Sequence, residues 1–452
     1  MSQDSLLCPR WIIPVEPAGA VLENHCVALR DGVIEAVLPR ADAEARFPSR
    51  ERIALDEHAL IPGLVNAHTH AAMSLMRGIA DDLPLMRWLE EHVWPAEKKH
   101  VSPQFVKDGT LLACAEMLRG GVTCFNDMYF FPEAALEAAL AAGIRVSLGM
   151  IVVEFASAYG SDPDDYLAKG LALRDRWRDH PLVSFCLAPH APYTVSDETF
   201  RKIATVAGEV YVPTHIHLHE TADEIARSVA EHGVRPIGRL QRLGLLGPGL
   251  IAVHAVHLTD EEIALLARHG ASVVHCPSSN LKLASGFAPV AKIAAAGINL
   301  AVGTDGAASN NRLDLFEEMR LAALLAKAVA QDAEALPAHA ALRAATLGGA
   351  AALGLEARIG SITPGKAADL AAVRLFAGEP GAGALSEASP ELMPCYDPVS
   401  HLVYVAGRQH VTDVWVAGRQ VLRDGTLENS ALRGLDTCAK MWQNTLSSIS
   451  DT

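Results

Sequence analysis

Residues 63–70 read GLVNAHTH, a short apolar run that ends in two histidines one residue apart. Seven later runs share this build: VTCFNDM (122–128), VSLGMIVV (146–153), VSFCLAPH (183–190), PTHIHLHE (213–220), IAVHAVHL (251–258), SVVHCPSS (272–279) and NLAVGTDG (299–306). Each gives way to Ala/Leu/Glu/Arg-rich sequence of helical character, as in PEAALEAALAAG (132–143), DEEIALLARHG (260–270) and LDLFEEMRLAALLAKAV (313–329). Eight such β-α units between about residues 60 and 360 predict an α/β fold of the (β/α)₈, or TIM-barrel, type. Near-continuous apolar strands are what a parallel sheet covered on both faces requires. An open doubly wound sheet would need a Gly-rich phosphate turn after an early strand, and none is apparent.

Outward from this core, both ends of the chain are β-rich. WIIPV (11–15) and HCVALRDGVIEAVLP (25–39) precede the alternating region, the second with an Asp31-Gly32 turn between apolar arms, a hairpin signal. ADLAAVRL, HLVYVAG and VTDVWVAGRQVLRDG follow it, after the return at Pro364-Gly365. The economical division is a small β-sandwich domain from residues 1–58 and 366–428, a catalytic barrel over 59–365, and a C-terminal helix and tail over 429–452.

The 452 residues are half hydrophobic and one-fifth charged, the balance of a globular chain rather than a disordered one. A net charge of −15 argues against nucleic acid or an anionic membrane as a partner. It leaves room for a small neutral nucleoside. No signal-like amino terminus and no apolar run of spanning length is present, so a cytoplasmic location is expected. The eight cysteines include no C-x-x-C pair, and those inside apolar runs, such as Cys186, read as reduced buried thiols.

The active site of such a barrel lies at the carboxyl ends of its strands. There the sequence places His68 and His70 (first strand), His190 (fourth), His217 and Glu220 (fifth), His254 and His257 (sixth) and Asp305 (eighth). Alternate residues of a strand share a face, so His68 and His70 can both point inward. An H-x-H alone is weak: 19 histidines in 452 residues produce about one such pair by chance. The convergence of His68, His217 and Asp305 from three different strands on one rim is stronger. Three imidazoles and a carboxylate form a borderline-soft set for Zn²⁺, with Fe²⁺ as the alternative.

PGLVNAHTHAAMSLMRG (62–78), HLHETADE (217–224), IAVHAVHL (251–258) and GTDGAASNN (303–311) resemble the amidohydrolase superfamily, and within it the methylthioadenosine/S-adenosylhomocysteine deaminase group. The likeness runs over almost the whole chain. It implies one divalent metal per subunit, held by His68, His70, His217 and Asp305. Binuclear relatives use a modified Lys after the fourth strand, and CLAPHAPYTV (186–195) has none. On the fifth strand His215, His217 and His219 alternate and all could face inward. The family pattern, with the ligand three residues before an acidic residue, implies His217 through Glu220, leaving His219 as a polar residue behind the site and His215 as a core histidine.

Implied roles follow. The metal lowers the pKa of water from near 16 towards about 7. Asp305 accepts the proton released. Glu220 protonates the ring nitrogen beside the attacked carbon and helps ammonia leave, and His254 steadies the developing alkoxide. Glu220 and His254 could instead be a helix N-terminal carboxylate and a packed imidazole. In MRGIADDLPLMRWLEEHVWPAEKKH (76–100), Trp88 carries over as a pocket wall and Glu97 as the partner of the ribose hydroxyls, with His190 as a further substrate contact. The segment 150–166 holds no Arg or Lys and offers apolar residues (Met150, Ile151, Phe155, Tyr159) with acids (Glu154, Asp162, Asp164, Asp165). That composition favours 5′-methylthioadenosine over adenosine and S-adenosylhomocysteine, provided the segment lines the pocket. A homodimer is the state the resemblance suggests. The alternatives are a deaminase of a free base such as guanine or a pterin, a triazine-dechlorinating hydrolase, and, more remotely, a metal-free binding barrel.

Overall fold

The computed structural model describes residues 4–375 and 390–447. The eight expected barrel strands are all present: β1 (Leu64–Thr69), β2 (Val122–Asp127), β3 (Arg145–Val152), β4 (Val183–Pro189), β5 (Thr214–Leu218), β6 (Leu250–His254), β7 (Ser272–His275) and β8 (Asn299–Val302). They are parallel and neighbour one another in chain order. Their residues are almost all buried, as helices on the outside of a closed parallel sheet demand.

β1 and β8 meet through their tips. The Asn66 amide bonds Thr304 in both senses, at 3.0 and 2.8 Å, and the Asp305 N–H donates to the His68 carbonyl at 3.0 Å. Gly303 permits this approach, since a Cβ there would stand 2.8 Å from the His68 nitrogen. Closure of the barrel therefore sets Asp305 beside the histidines of β1.

The terminal segments build the second sheet. Ser5–Ile12, Leu22–Glu23, His25–Arg30, Val33–Pro39 and Glu51–Pro62 join Leu370–Arg374, Val411–Val416, Arg419–Arg423 and Thr426–Leu427. Hydrogen bonding links these nine strands into one mixed sheet. The anticipated hairpin turns at Asp31-Gly32, both with positive φ (50° and 81°), the geometry a tight right-twisted hairpin needs. The antiparallel pairing of Ser5–Ile12 with His25–Arg30 brings Cys8 to Cys26, and these two are disulfide-bonded, contrary to the expectation that thiols inside apolar runs are reduced. Their sequence separation of 18 hid a pairing that strand register creates. Cys114, Cys124, Cys186 and Cys276 are free and buried, as anticipated.

The C-terminal helix spans Leu435–Ser447, and the expected tail after it lies outside the described residues. Among the described residues no helix is long and apolar enough to cross a membrane.

Candidate active site

His68, His70, His217 and Asp305 converge at the carboxyl rim. One ligand atom from each lies within 4.8 Å of the others, and the side chains are buried or nearly so. Every imidazole is engaged from behind through Nδ1. His70 donates to the Met128 carbonyl at 2.6 Å and His217 to the His190 carbonyl at 2.7 Å, while His68 Nδ1 sits 3.0 Å from His215 Nε2. Such partners orient the ring and leave the Nε2 lone pair for a cation. His215, expected to be a plain core histidine, is thus the group against which His68 is set.

The inward atoms crowd together: Asp305 Oδ1 is 3.3 Å from His68 Nε2 and 3.2 Å from His70 Nε2, and His217 Nε2 is 3.3 Å from His70 Nε2. His68 Nε2 is buried without a hydrogen-bond partner. Burial pushes His68 down to about 4, His190 to about 3 and His217 lower than usual, so these rings are neutral, as ligands must be. Burial acts on His70 too, but the Asp305 carboxylate outweighs it and lifts the ring to about 9. A cation entering here competes with that proton. The donor set, the orphaned nitrogen and the convergence all fit one divalent metal.

Asp305 is held from the far side. Its Oδ2 accepts from Ser279 at 2.6 Å and Ser309 at 2.9 Å, and Oδ1 accepts from the Gly306 N–H at 2.7 Å. Its backbone is left-handed (φ 61°), as is that of His254 (φ 71°). Strain of this kind, about 1–3 kcal/mol per residue, persists where surrounding structure over-determines it.

Glu220 lies just past β5, with one carboxylate oxygen 3.8 Å from His254 Nε2. Burial raises its carboxyl above the ordinary range, which suits a group that must carry a proton. The chain here is pinned by Glu224, which accepts from the backbone N–H of His219 and Glu220 at 2.9 and 2.8 Å. His254 is oriented by Asn280, whose Oδ1 is 2.8 Å from Nδ1. Its ring stacks on His217, centroids 5.4 Å apart. His219 faces away: Nε2 accepts from the Ile237 N–H at 3.0 Å, and Nδ1 meets the His257 carbonyl at 3.2 Å. His257 lies beyond the end of β6 and bonds the Ser285 carbonyl at 2.7 Å.

A pocket opens above these groups. His70, His190, His217, Glu220, His254 and Asp305 form its floor, and Trp88, Trp94, Glu97, Tyr129, Phe130, Ile151, Val153, Phe155 and Leu283 its walls. The segment Leu85–His100 is helical, with a π-helical turn at Leu89–Val93, and lies over the mouth. Trp88 and Glu97 both face the pocket, and the Trp88 indole nitrogen is buried with no partner. Glu97 accepts from the Tyr129 hydroxyl at 2.7 Å, and burial raises its carboxyl to about 7. His190 is set by Thr194, 3.1 Å from its Nδ1.

Part of the segment 150–166 does line the cavity, through Ile151, Val153 and Phe155 inside and Glu154 to Tyr159 in an outer groove. Asp162 and Asp165 are spent elsewhere, capping the following helix and pairing with Lys169, and Asp164 pairs with Lys202. The wall is therefore apolar more than acidic. The outer groove also receives Lys98, Arg227, His232 and Arg239 from other elements, although Arg227 is bridged to Glu231 and Arg239 to Asp197.

Ser279, Ser309, Asn280, Thr194, Tyr129 and Glu224 escaped the sequence reading. The polar run CPSSN after β7 was the one visible signal, since no role had been given to that strand's tip.

Comparison with known proteins agrees with this geometry. The model of the amidohydrolase family matches residues 59–421. The chain is 46% identical, over 97% of its length and 96% of the relative, to 5-methylthioadenosine/S-adenosylhomocysteine deaminase of Saccharophagus degradans. A solved adenosine deaminase from Xanthomonas campestris with bound zinc superposes with a TM-score of 0.95 at 50% identity, covering 99% of both chains. A variant of atrazine chlorohydrolase from Arthrobacter aurescens, complexed with zinc and atraton, gives 0.87 at 25% identity over 97% of this chain and 99% of that one. With its eight-stranded barrel, its three-histidine, one-aspartate centre and these likenesses, the chain belongs to the amidohydrolase family.

Proposed function

We propose that this protein hydrolytically deaminates an adenine nucleoside, releasing ammonia and the inosine analogue, with one divalent metal, Zn²⁺, held by His68, His70, His217 and Asp305. The observation that carries the proposal is the placing of Glu220 and His254 beside that ligand group, beneath a pocket walled by Trp88 and Glu97. The cation would supply Lewis acidity, making water acidic enough to attack at neutral pH.

The chain's own groups do the rest. Asp305, with Oδ2 steadied by two hydroxyls, takes the proton of the attacking water. Glu220, raised by burial, gives a proton to the ring nitrogen next to the amino-bearing carbon and then assists departure of ammonia. His254, its Nδ1–H held by the Asn280 carbonyl oxygen, acts as an imidazolium whose Nε2–H faces the oxygen as it becomes negative. Trp88 covers the base, His190 contacts it from the β4 side, and Glu97 accepts from the ribose diol.

Of the candidate nucleosides, 5′-methylthioadenosine is placed first, since Phe130, Ile151, Val153 and Phe155 offer a small thioether an apolar wall. Adenosine and S-adenosylhomocysteine follow. Ammonia release across these three, with metal content measured on the same preparation, tests the reading. Equal activity after complete metal removal would sink it, and a higher kcat/KM for S-adenosylhomocysteine would reverse the ranking. Free-base deamination is separated by Glu97→Ala, which impairs nucleoside turnover and leaves a base without ribose little affected.

A further inference from the structure

The tip of β2 touches three parts of the site with three consecutive residues. Asp127 accepts from the Ala71 N–H at 2.7 Å and the Thr69 hydroxyl at 3.2 Å, holding the turn that follows β1. Met128 accepts from His70 through its carbonyl. Tyr129, 4% exposed, reaches across the pocket and donates to Glu97 Oε1 at 2.7 Å. Two of these contacts set the metal-ligand side of the pocket, and the third extends to the helix Trp94–His100 that covers it.

We propose that Tyr129 is a positioning residue for nucleoside recognition: its hydroxyl locks the Glu97 carboxylate so that the other oxygen faces the 2′,3′-diol of the sugar. This rests on the reading of Glu97 as the ribose partner. The terminal torsion of a glutamate is broad and roughly two-fold, so an unheld carboxylate samples many orientations. A carboxylate offers about four lone-pair directions. Tyr129 takes one and fixes the plane, and the remaining directions suit two hydroxyls on neighbouring carbons. Among the described residues Tyr129 is the sole hydrogen-bond donor to this carboxylate, so nothing else performs the task. The strand tip continues the barrel wall while the covering helix lies outside the barrel, so the bond references the sugar-binding group to the same tip that orients His70. The class of substrate that profits is the nucleoside with a free cis-diol.

The test compares kcat/KM for adenosine and 2′,3′-dideoxyadenosine in the metal-loaded wild type, Tyr129→Phe, Glu97→Gln and the double variant. The ratio of the two substrates on one preparation cancels any loss of folded enzyme. Tyr129→Met, which also lacks the hydroxyl, repeats the measurement in a second side chain. The expected result is a preference for the diol that falls about tenfold in Tyr129→Phe, chiefly through KM, at least as far in Glu97→Gln, and no further in the double variant. A Tyr129→Phe ratio equal to that of the wild type overturns the proposal while leaving Glu97 as the ribose partner if Glu97→Gln still loses the preference. Should Glu97→Gln keep the wild-type ratio as well, the reading of Glu97 falls, and the role of Tyr129 with it.

Discussion

Arg145 and Asp369 bury opposite charges where the barrel meets the terminal sheet, with side chains 3% and 1% exposed. At the other end of the barrel, Asp305 and three histidines bury another charged cluster. The first is complete: the guanidinium meets the carboxylate through two bonds of 2.9 Å, spends a third donor on the Pro181 carbonyl, and the carboxylate also accepts from Ala417 N–H. The second is not. Its lone pairs face one another at about hydrogen-bond distance, one imidazole nitrogen is orphaned, and Asp305 sits on left-handed backbone. A buried group with all its partners is structure. One left short of protein partners, at the rim where ligands enter, is the mark of a candidate ligand site.

That contrast can be broken at several points. Asp305→Ala should abolish the metal site, with kcat/KM falling at least about 10³-fold and metal stoichiometry falling with it, while the fold persists. Retention of metal would show that the carboxylate is no ligand. Glu220→Gln should keep the metal and lose about 10²–10⁴-fold in kcat, so metal analysis beside the assay separates the two variants. Asp369→Ala should do the reverse: about 3–5 kcal/mol of stability lost to urea, because Arg145 is left buried and unpaired, with activity per folded molecule retained.

A pH prediction sharpens the comparison. Glu318, 1% exposed behind the rim, accepts from Ser278 N–H and the Asn310 amide, and burial lifts its carboxyl to about 8. The folded chain then keeps a proton that the unfolded chain has lost above its ordinary value of 4.5. Stability falls as pH rises from about 4.5 through 8, and Glu318→Gln should lack that part of the slope. Urea titrations of both proteins at pH 5 and pH 8 decide it, parallel profiles being the contrary result. The smallest effect belongs to the exposed pair Arg87–Glu91, where Glu91→Gln should cost under about 0.5 kcal/mol.

Legibility differed sharply between ligands and their supports. His68 and Asp305 could be read because each closes a hydrophobic run, and the run's period and length announce a strand whose end is the barrel rim. Ser279, Asn280 and Tyr129 carry no such marker. Serine, asparagine and tyrosine occur throughout ordinary loops, and what distinguishes these is a partner 26 or more residues away in sequence. The acids of 150–166 failed for the opposite reason. Their composition suggested a charged wall, yet local capping and i,i+4 pairing claimed Asp162 and Asp165 before the pocket could.

Sequence alone determined the order of strands and helices, the barrel and the hairpin at Asp31-Gly32, because hydrophobic period and turn chemistry act over a few residues, while the four candidate metal ligands followed from the family resemblance. Tertiary structure alone decided which nitrogen of each histidine faces inward, that His215 stands behind His68, and that Cys8 meets Cys26. Those outcomes depend on register and on positional differences of a few tenths of an ångström between segments far apart in the chain. Hydrogen bonds are that short-ranged, and only the closed barrel brings their partners within reach.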